Sequence, residues 1–249
     1  MSELELIIDL HRNTDRQGPG SPQTTKKALE FVHLPKGQLL EVADLGCGTG
    51  GQTITLAEEL QASITAIDLF PAFLEDLRKR TEEKNLGHKI QSLAKSIDDL
   101  NFEAESLDLI WSEGAIYNLG FAEGIKQWKP YLKKGGYLAI SEITWITPTR
   151  PSEIAHYWEK HYPQIATAGN KIRILEEQGF SLSGYFYLPQ DDWLGHYYTP
   201  LENRFQAFLE RHHHSALAQR IVQENQAEID LYRKYKDYYS YGFYVARKE

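Results

Sequence analysis

Between residues 39 and 145 the apolar positions alternate between two spacings. Short apolar runs predict buried strands over 39–44, 63–68, 89–94, 107–111 and 137–143. Between the first runs, apolar residues recur three and four positions apart, as on one face of a helix. These positions are Thr53, Leu56, Ala57 and Leu60, and then Phe70, Phe73, Leu74 and Leu77. Strands that alternate with helices through short connections predict an α/β fold, a parallel sheet with helices on both faces.

The carboxyl half of the chain is less regular. Two further strands are predicted over 180–188 and 239–246, which brings the sheet to seven strands. Residues 190–237 are predicted to be mostly helical, which makes them an insertion before the last strand. Residues 1–38 form an amino-terminal helical segment. Because no repeat or low-complexity linker divides the chain, residues 1–249 are predicted to be one domain.

Charge and cysteine content narrow the class of protein. The formal net charge is −8 and no basic stripe is present, so a nucleic-acid partner is not expected. Cys47 is the single cysteine, so no intrachain disulfide can form. The amino terminus does not resemble a signal peptide, and no apolar run is long enough to cross a bilayer. We expect a cytoplasmic protein without a membrane partner; a homo-oligomer is compatible with the sequence.

A glycine cluster between the first strand and its helix is the most informative stretch. The unpaired N–H groups of a helix amino terminus and close-packed glycines favour a nucleotide at this turn. Asp68 ends the second strand, twenty residues after Gly48, where a carboxylate can accept hydrogen bonds from ribose hydroxyls. The glycine spacing fits both dinucleotides and S-adenosylmethionine. Asp44 favours the second, because it would repel a pyrophosphate and could help organise a site for a methionine amine.

Four segments in order, and a fifth at the carboxyl terminus, resemble motifs of the class I, Rossmann-like S-adenosylmethionine-dependent methyltransferases. Residues 44–50, Asp-Leu-Gly-Cys-Gly-Thr-Gly, resemble the first motif, and residues 66–69 the second. Residues 106–113 are similar to the fourth-strand motif, and residues 131–138 to the approach to strand five. Residues 242–248 are similar to the family's last strand. The resemblance implies a seven-stranded, mostly parallel sheet whose last strand is antiparallel.

The resemblance also implies cofactor-binding residues. Asp68 would bind the ribose and Leu69 would lie against the adenine. Many relatives carry an Asp after strand three that binds the adenine amino group; here Ser96 occupies that position, and Ser96 or the Ile97 backbone would replace it. The implied set is Asp44, Gly46, Cys47, Gly48, Gly50, Gln52, Asp68, Leu69, Ser96, Ile97 and Glu113.

The reaction requires few catalytic groups. Methyl transfer from a sulfonium is an in-line displacement, and a general base is needed only when the acceptor must lose a proton. Glu113, Tyr117 and His196 are the candidates, with His156 and His161 as further possible bases. Residues 195–198 are a candidate roof over the acceptor. No metal site is expected, because three consecutive histidines at 212–214 cannot share one helix face.

The sequence therefore favours an S-adenosylmethionine-dependent methyltransferase of a small molecule that releases S-adenosylhomocysteine. Two alternatives stay open at this point: an NAD(P)-dependent oxidoreductase and a non-catalytic S-adenosylmethionine-binding protein. Residues 16–21 are either a lid over the cofactor or an ordinary linker.

Overall fold

A computed structural model describes residues 1–35 and 37–249. Its single sheet has the strand order β3-β2-β1-β4-β5-β8-β7, and a short strand, β6, pairs with β5. All neighbouring strands are parallel except β8, which runs antiparallel to β5 and β7. The strands are β1 (Leu40–Leu45), β2 (Ala62–Asp68), β3 (Ile90–Ala94), β4 (Leu107–Glu113), β5 (Leu132–Trp145), β6 (Ala166–Thr167), β7 (Phe180–Tyr187) and β8 (Tyr239–Lys248).

Ten α-helices accompany these strands in the part of the chain that the structure describes. They are α1 (Glu3–His11), α2 (Pro22–Leu29), α3 (Gly51–Glu59), α4 (Pro71–Glu83), α5 (Phe121–Trp128), α6 (Ser152–His161), α7 (Ala168–Glu177), α8 (Gln190–Trp193), α9 (Thr199–Arg211) and α10 (Ala216–Tyr235). A π-helical turn, Leu194–Tyr198, joins α8 to α9. Helix α1 begins with a capping box between Ser2 and Glu5, and α4 begins at Pro71, where proline replaces an N–H that would have no partner.

The two faces of the sheet are covered by different helices because successive strand residues point to opposite sides. On one face Val42 and Leu109 pack with residues of α2 and α3. On the other, Leu45 and Ile110 pack with residues of α5 and α7. The predicted α/β fold, with its mostly parallel sheet and antiparallel last strand, is confirmed.

A separate apolar cluster lies beyond the carboxyl ends of the strands. Its members come from α1, α6 and α8–α10 and from the adjoining ends of β5 and β8. Trp193 stacks on Tyr232 with ring centroids 4.4 Å apart. The residues between β7 and β8 are mostly helical, as predicted. Their helices lie over the edge of the sheet at which β1, β2 and β4 end.

Strands β5 and β6 differ from the sequence prediction. Strand β5 begins at Leu132 rather than at residue 137, because Leu132 already pairs with Leu107 of β4. It also extends to Trp145, past the predicted end at residue 143, because its last residues pair with Tyr239 and Ser240 of β8. Strand β6 was not predicted, because two residues are too few to show a period. The strand order reverses between β1 and β4, and in open α/β sheets ligands bind in the crevice at such a point.

Candidate active site

The turn from β1 into α3 is shaped by glycines at positive φ. Gly46, Gly48 and Gly50 have φ values of 76°, 55° and 84°. A Cβ atom on Gly48 would lie 2.1 Å from Oε1 of Gln17, and one on Gly46 would lie 2.2 Å from the Cβ of Ala115. At Gly46 the neighbouring Cβ cannot move aside, so glycine is needed for a steric as well as a conformational reason; at Gly48 the neighbour is the end of a flexible side chain, and the positive φ is the stronger reason.

Asp68 fastens this turn to the end of β2. One carboxylate oxygen accepts the backbone N–H of Gly48 at 2.8 Å, and the other accepts that of Phe70 at 2.9 Å. Burial raises the pKa of the Asp68 carboxyl, while the two N–H groups oppose that shift. Each oxygen keeps a second lone pair, so the carboxylate can still accept hydrogen bonds from a ligand beside the glycine turn.

Asp44 lies behind the turn rather than in its open face. It is fully buried and accepts a hydrogen bond from Thr53 at 2.5 Å and a longer one from Gln52 at 3.3 Å. Desolvation raises the pKa of its carboxyl to about 7. Through these contacts Asp44 positions the first turn of α3, and Gln52 is the member of this group that reaches the cavity described next.

A cavity of about 590 Å³ opens over the carboxyl ends of the strands. One half is lined by Gly46, Gly48 and Asp68, together with Leu69 and Ile97. Leu69 is 58% exposed, which is unusual for leucine beside a buried strand and leaves an apolar surface for a ligand. Ser96 also lines this half. We call it the cofactor half.

Glu113 ends β4 inside this cavity and is held by three donors. Arg16 donates to one carboxylate oxygen at 2.5 Å, and Thr25 and the indole of Trp111 donate to the other at 2.7 and 2.9 Å. The Arg16 and Glu113 side chains are only 6% and 3% exposed. Glu113 is therefore a buried partner of Arg16 and not a free base, and Arg16 is a cavity residue that the sequence did not reveal.

The segment that carries Arg16 crosses the glycine turn. Gln17 accepts the backbone N–H of Thr49 at 2.8 Å and donates to its hydroxyl at 3.0 Å, and the Thr49 hydroxyl donates to the carbonyl of Thr14 at 2.7 Å. Gly18 and Pro19 complete the wall of the cavity here. Residues 16–19 thus cover the cofactor half in this structure.

The other half of the cavity, which we call the acceptor half, is mainly aromatic. Tyr157 stacks on His161 with centroids 4.1 Å apart, and Trp193 meets Tyr241 edge-on at 4.9 Å. The acceptor half is lined by Gly114, Tyr117, Asn118, Ile143, Tyr157, Trp158, His161, Tyr162, Trp193, Tyr197, Glu228 and Tyr241.

Glu228 is the carboxylate of the acceptor half. It lies on the inner face of α10, seven residues after Ile221 and four before Tyr232, both fully buried. Its side chain is nevertheless accessible, because it faces the cavity. The Tyr198 hydroxyl donates to one of its oxygens at 2.9 Å, and desolvation raises the pKa of its carboxyl. Glu228 is not among the residues that the sequence predicted for the site. A glutamate on the apolar face of an amphipathic helix does indicate a buried polar partner or a ligand site.

Comparison with known proteins finds methyltransferases that are similar to this chain in sequence and in fold. Residues 42–136 match the family model described as "Methyltransferase domain". Trans-aconitate 2-methyltransferase of Escherichia coli is 28% identical over 90% of this chain and 93% of its own length. A crystal structure of an S-adenosylmethionine-dependent methyltransferase from Geobacter sulfurreducens, in complex with S-adenosyl-L-homocysteine, superimposes with a TM-score of 0.84. The match has 18% identity and covers 99% of this chain and 98% of the other.

Residues 42–136 match a methyltransferase domain, the chain has the class I methyltransferase fold, and it is an S-adenosylmethionine-dependent methyltransferase. The predicted enzyme class and the predicted cofactor, S-adenosylmethionine, are thereby confirmed. The comparisons give no support to the alternative of a nicotinamide-dependent oxidoreductase, and they favour an enzyme over a non-catalytic binding protein.

The methyltransferase cavity brings together most of the predicted site residues. Gly46, Cys47, Gly48, Gln52, Asp68, Leu69, Ser96, Ile97, Glu113 and Tyr117 all line it. Asp44 and Gly50 lie behind its wall. His196 is outside it, in a second cavity of about 390 Å³ on the far side of residues 13–16, with its Nε2 3.6 Å from Asp191.

The other histidines of the methyltransferase fall in different places. His161 lines the acceptor half and its Nδ1 lies 2.7 Å from the carbonyl oxygen of Tyr157, whereas His156 is exposed. His212 contacts Asp9 at 2.9 Å and does not converge with its two neighbours. Within residues 1–35 and 37–249, no three His, Cys, Asp or Glu side chains are grouped as a metal site would need. No helix among the same residues is long and apolar enough to cross a bilayer.

Proposed function

We propose that this methyltransferase encloses a small-molecule acceptor in the aromatic half of the cavity, with the cofactor between Gly46 and Asp68. The observation that carries the proposal is the continuity of the cavity. One space joins the glycine turn to the aromatic side chains of the inserted helices. Its volume of about 590 Å³ is within the range of small-ligand sites, roughly 300–1,000 Å³.

The cofactor half supplies complementary groups for each part of S-adenosylmethionine. Asp68 accepts from the ribose hydroxyls, and Leu69 and Ile97 lie against the adenine. Ser96 stands at the adenine edge. The glycine turn admits the backbone of the ligand at close range, as nucleotide sites of this sheet type require. Asp44 and Gly50 act indirectly, by holding the turn.

Arg16 is the group that we assign to the methionine carboxylate. It is the one arginine or lysine among the described residues that line the cavity, and Glu113 and Thr25 fix its guanidinium. Glu113 is then a positioning residue for Arg16. Because Arg16 belongs to residues 16–21, we also propose that this segment is a lid whose closure completes the cofactor site.

The acceptor half does not favour trans-aconitate, the acceptor in the name of the Escherichia coli relative. Trans-aconitate carries three carboxylates, and the acceptor half contains no arginine or lysine among its described residues. Burial of an unpaired carboxylate is costly, so the acceptor half disfavours a polyanion. The same absence, with the net charge of −8, disfavours a nucleic-acid acceptor.

Two measurements test the proposal. A crystal structure with S-adenosylhomocysteine should show the ligand between Gly46 and Asp68; a ligand bound elsewhere would overturn the site assignment. A coupled assay for S-adenosylhomocysteine should respond to the small-molecule fraction of a cell extract and not to its protein or nucleic-acid fraction. Asp108→Asn, a change at the opposite edge of the sheet, should leave both results unchanged.

A further inference from the structure

We propose that the methyl acceptor is an amine whose ammonium group binds Glu228 and whose apolar body packs against the tyrosine and tryptophan rings of the acceptor half. This inference rests on the proposed function and narrows it to one chemical class.

The charge balance of the acceptor half is the first observation. In the part of the chain that the structure describes, Glu228 is its one carboxylate, and it has no arginine or lysine to neutralise it. The tyrosine that donates to Glu228 is neutral and uses one of the two oxygens. The imidazole of His161, which also lines this half, has its Nδ1 2.7 Å from a backbone carbonyl oxygen. A carboxylate that faces a cavity without a neighbouring arginine or lysine favours a ligand that supplies a cation.

The rings around Glu228 are the second observation. Tyr157, Tyr197 and Tyr241 line the same half, and after desolvation the charge of Glu228 is a further cause that raises the pKa of each phenol. No hydrogen bond to another described residue acts on these three phenols. Electron-rich ring faces attract an ammonium or alkylammonium group, and a carboxylate among them adds a charged hydrogen-bond acceptor. The same ring faces and carboxylate would repel an anionic ligand.

The geometry also provides for the proton that an amine must lose. The ammonium proton passes to the Glu228 carboxylate, and the freed nitrogen lone pair forms the new N–CH₃ bond. The C–S bond of the sulfonium breaks with both electrons going to sulfur, which leaves neutral S-adenosylhomocysteine and a methylated ammonium. Burial raises the pKa of the Glu228 carboxyl and so makes it a better acceptor for that proton.

The first experiment identifies the acceptor class. A small-molecule extract of the source cells is separated on cation and anion exchangers, and each fraction is assayed with S-adenosylmethionine for S-adenosylhomocysteine release. We expect activity in the fraction retained by the cation exchanger, and its loss after acetylation of primary and secondary amines. Activity in the anionic or neutral fraction would overturn this inference and leave the small-molecule proposal intact. Activity in no small-molecule fraction would overturn the proposed function itself.

The second experiment tests the residue. With the active fraction, Glu228→Gln should raise KM by about 10- to 150-fold, the range for loss of a charge-assisted hydrogen bond. Its affinity for S-adenosylhomocysteine should stay at the wild-type value, which also shows that the variant is folded. Glu224→Gln makes the same change one turn earlier on α10, at an exposed position outside the cavity, and should change neither value. An unchanged KM in Glu228→Gln would refute the assignment.

Discussion

Replacement of Asp68 by alanine is the most direct test of the cofactor half. In the free protein the carboxylate already accepts the N–H groups of Gly48 and Phe70, and its remaining lone pairs face the cavity. A charge-assisted hydrogen bond contributes about 1.5–3 kcal/mol. We therefore expect Asp68→Ala to weaken S-adenosylhomocysteine binding by about 10- to 150-fold.

The same substitution has a second effect that must be separated from the first. It leaves the buried N–H of Gly48 without its partner, which costs about 1–3 kcal/mol of folding stability. Asp108→Asn provides the control, because Asp108 also accepts a backbone N–H and is 6% exposed but lies at the start of β4, away from the cavity. It should lower the melting temperature without a change in ligand affinity.

Isothermal titration calorimetry with two ligands distinguishes the ribose contact from general damage to the turn. Wild-type protein should bind S-adenosylhomocysteine more tightly than its 2′,3′-dideoxy analogue, whereas Asp68→Ala should bind both with nearly equal affinity. The two ligands differ in binding free energy by one amount in wild type and by another in Asp68→Ala. The difference between these two amounts is the contribution of the contact between Asp68 and the ribose hydroxyls. If the folded variant still binds S-adenosylhomocysteine within twofold of wild type, the ribose assignment is wrong.

Two further predictions concern buried charges. Burial raises the pKa of Asp44 from 3.8 to about 7, so between these values the folded state holds a proton that the unfolded state releases. Urea unfolding should therefore show that wild type loses about 4 kcal/mol of stability relative to Asp44→Asn between pH 4 and pH 7.5. Parallel pH profiles for the two proteins would contradict this reasoning. In the same assay, Lys171→Met should lower the free energy of unfolding by about 3–5 kcal/mol, because it leaves the Glu142 carboxylate buried without its cation. The double variant Lys171→Met, Glu142→Gln should recover most of this loss. Equal losses in the single and the double variant would show that the ion pair is not responsible.

The fold could be predicted because its signals are local. Strands β1 and β2 are short apolar runs, and each is followed within a few residues by a turn and a helix of period 3.6. The cofactor half has the same local character: Gly48 and Asp68 are twenty residues apart, and parallel pairing of β1 with β2 brings the ends of these strands together. Any sequence with this spacing and topology places an aspartate beside the glycine turn.

Arg16 and Glu228 could not be predicted in this way. Arg16 stands in a polar, glycine-rich stretch whose pattern has no period, and its partner Glu113 is 97 residues away. Glu228 does follow the helical period of α10, but the period predicts only that it faces inward. The environment of that glutamate depends on how α10 packs against Tyr198 and the end of β8. The pattern of residues around position 228 does not predict either contact.

This division has a physical consequence for how the enzyme acquires its specificity. The cofactor half is made at the ends of β1, β2 and β4, whose positions are fixed by the packing of the whole sheet, so substitutions there disturb the fold. Apart from Ile143 of β5 and Tyr241 of β8, the acceptor half is formed by segments outside the sheet, namely the residues after β4, the residues after β5 and the helices between β7 and β8. Their side chains can change charge or size while the sheet stays intact. We therefore propose that residues such as Glu228, rather than the motif residues that identify the cofactor, determine which acceptor is bound.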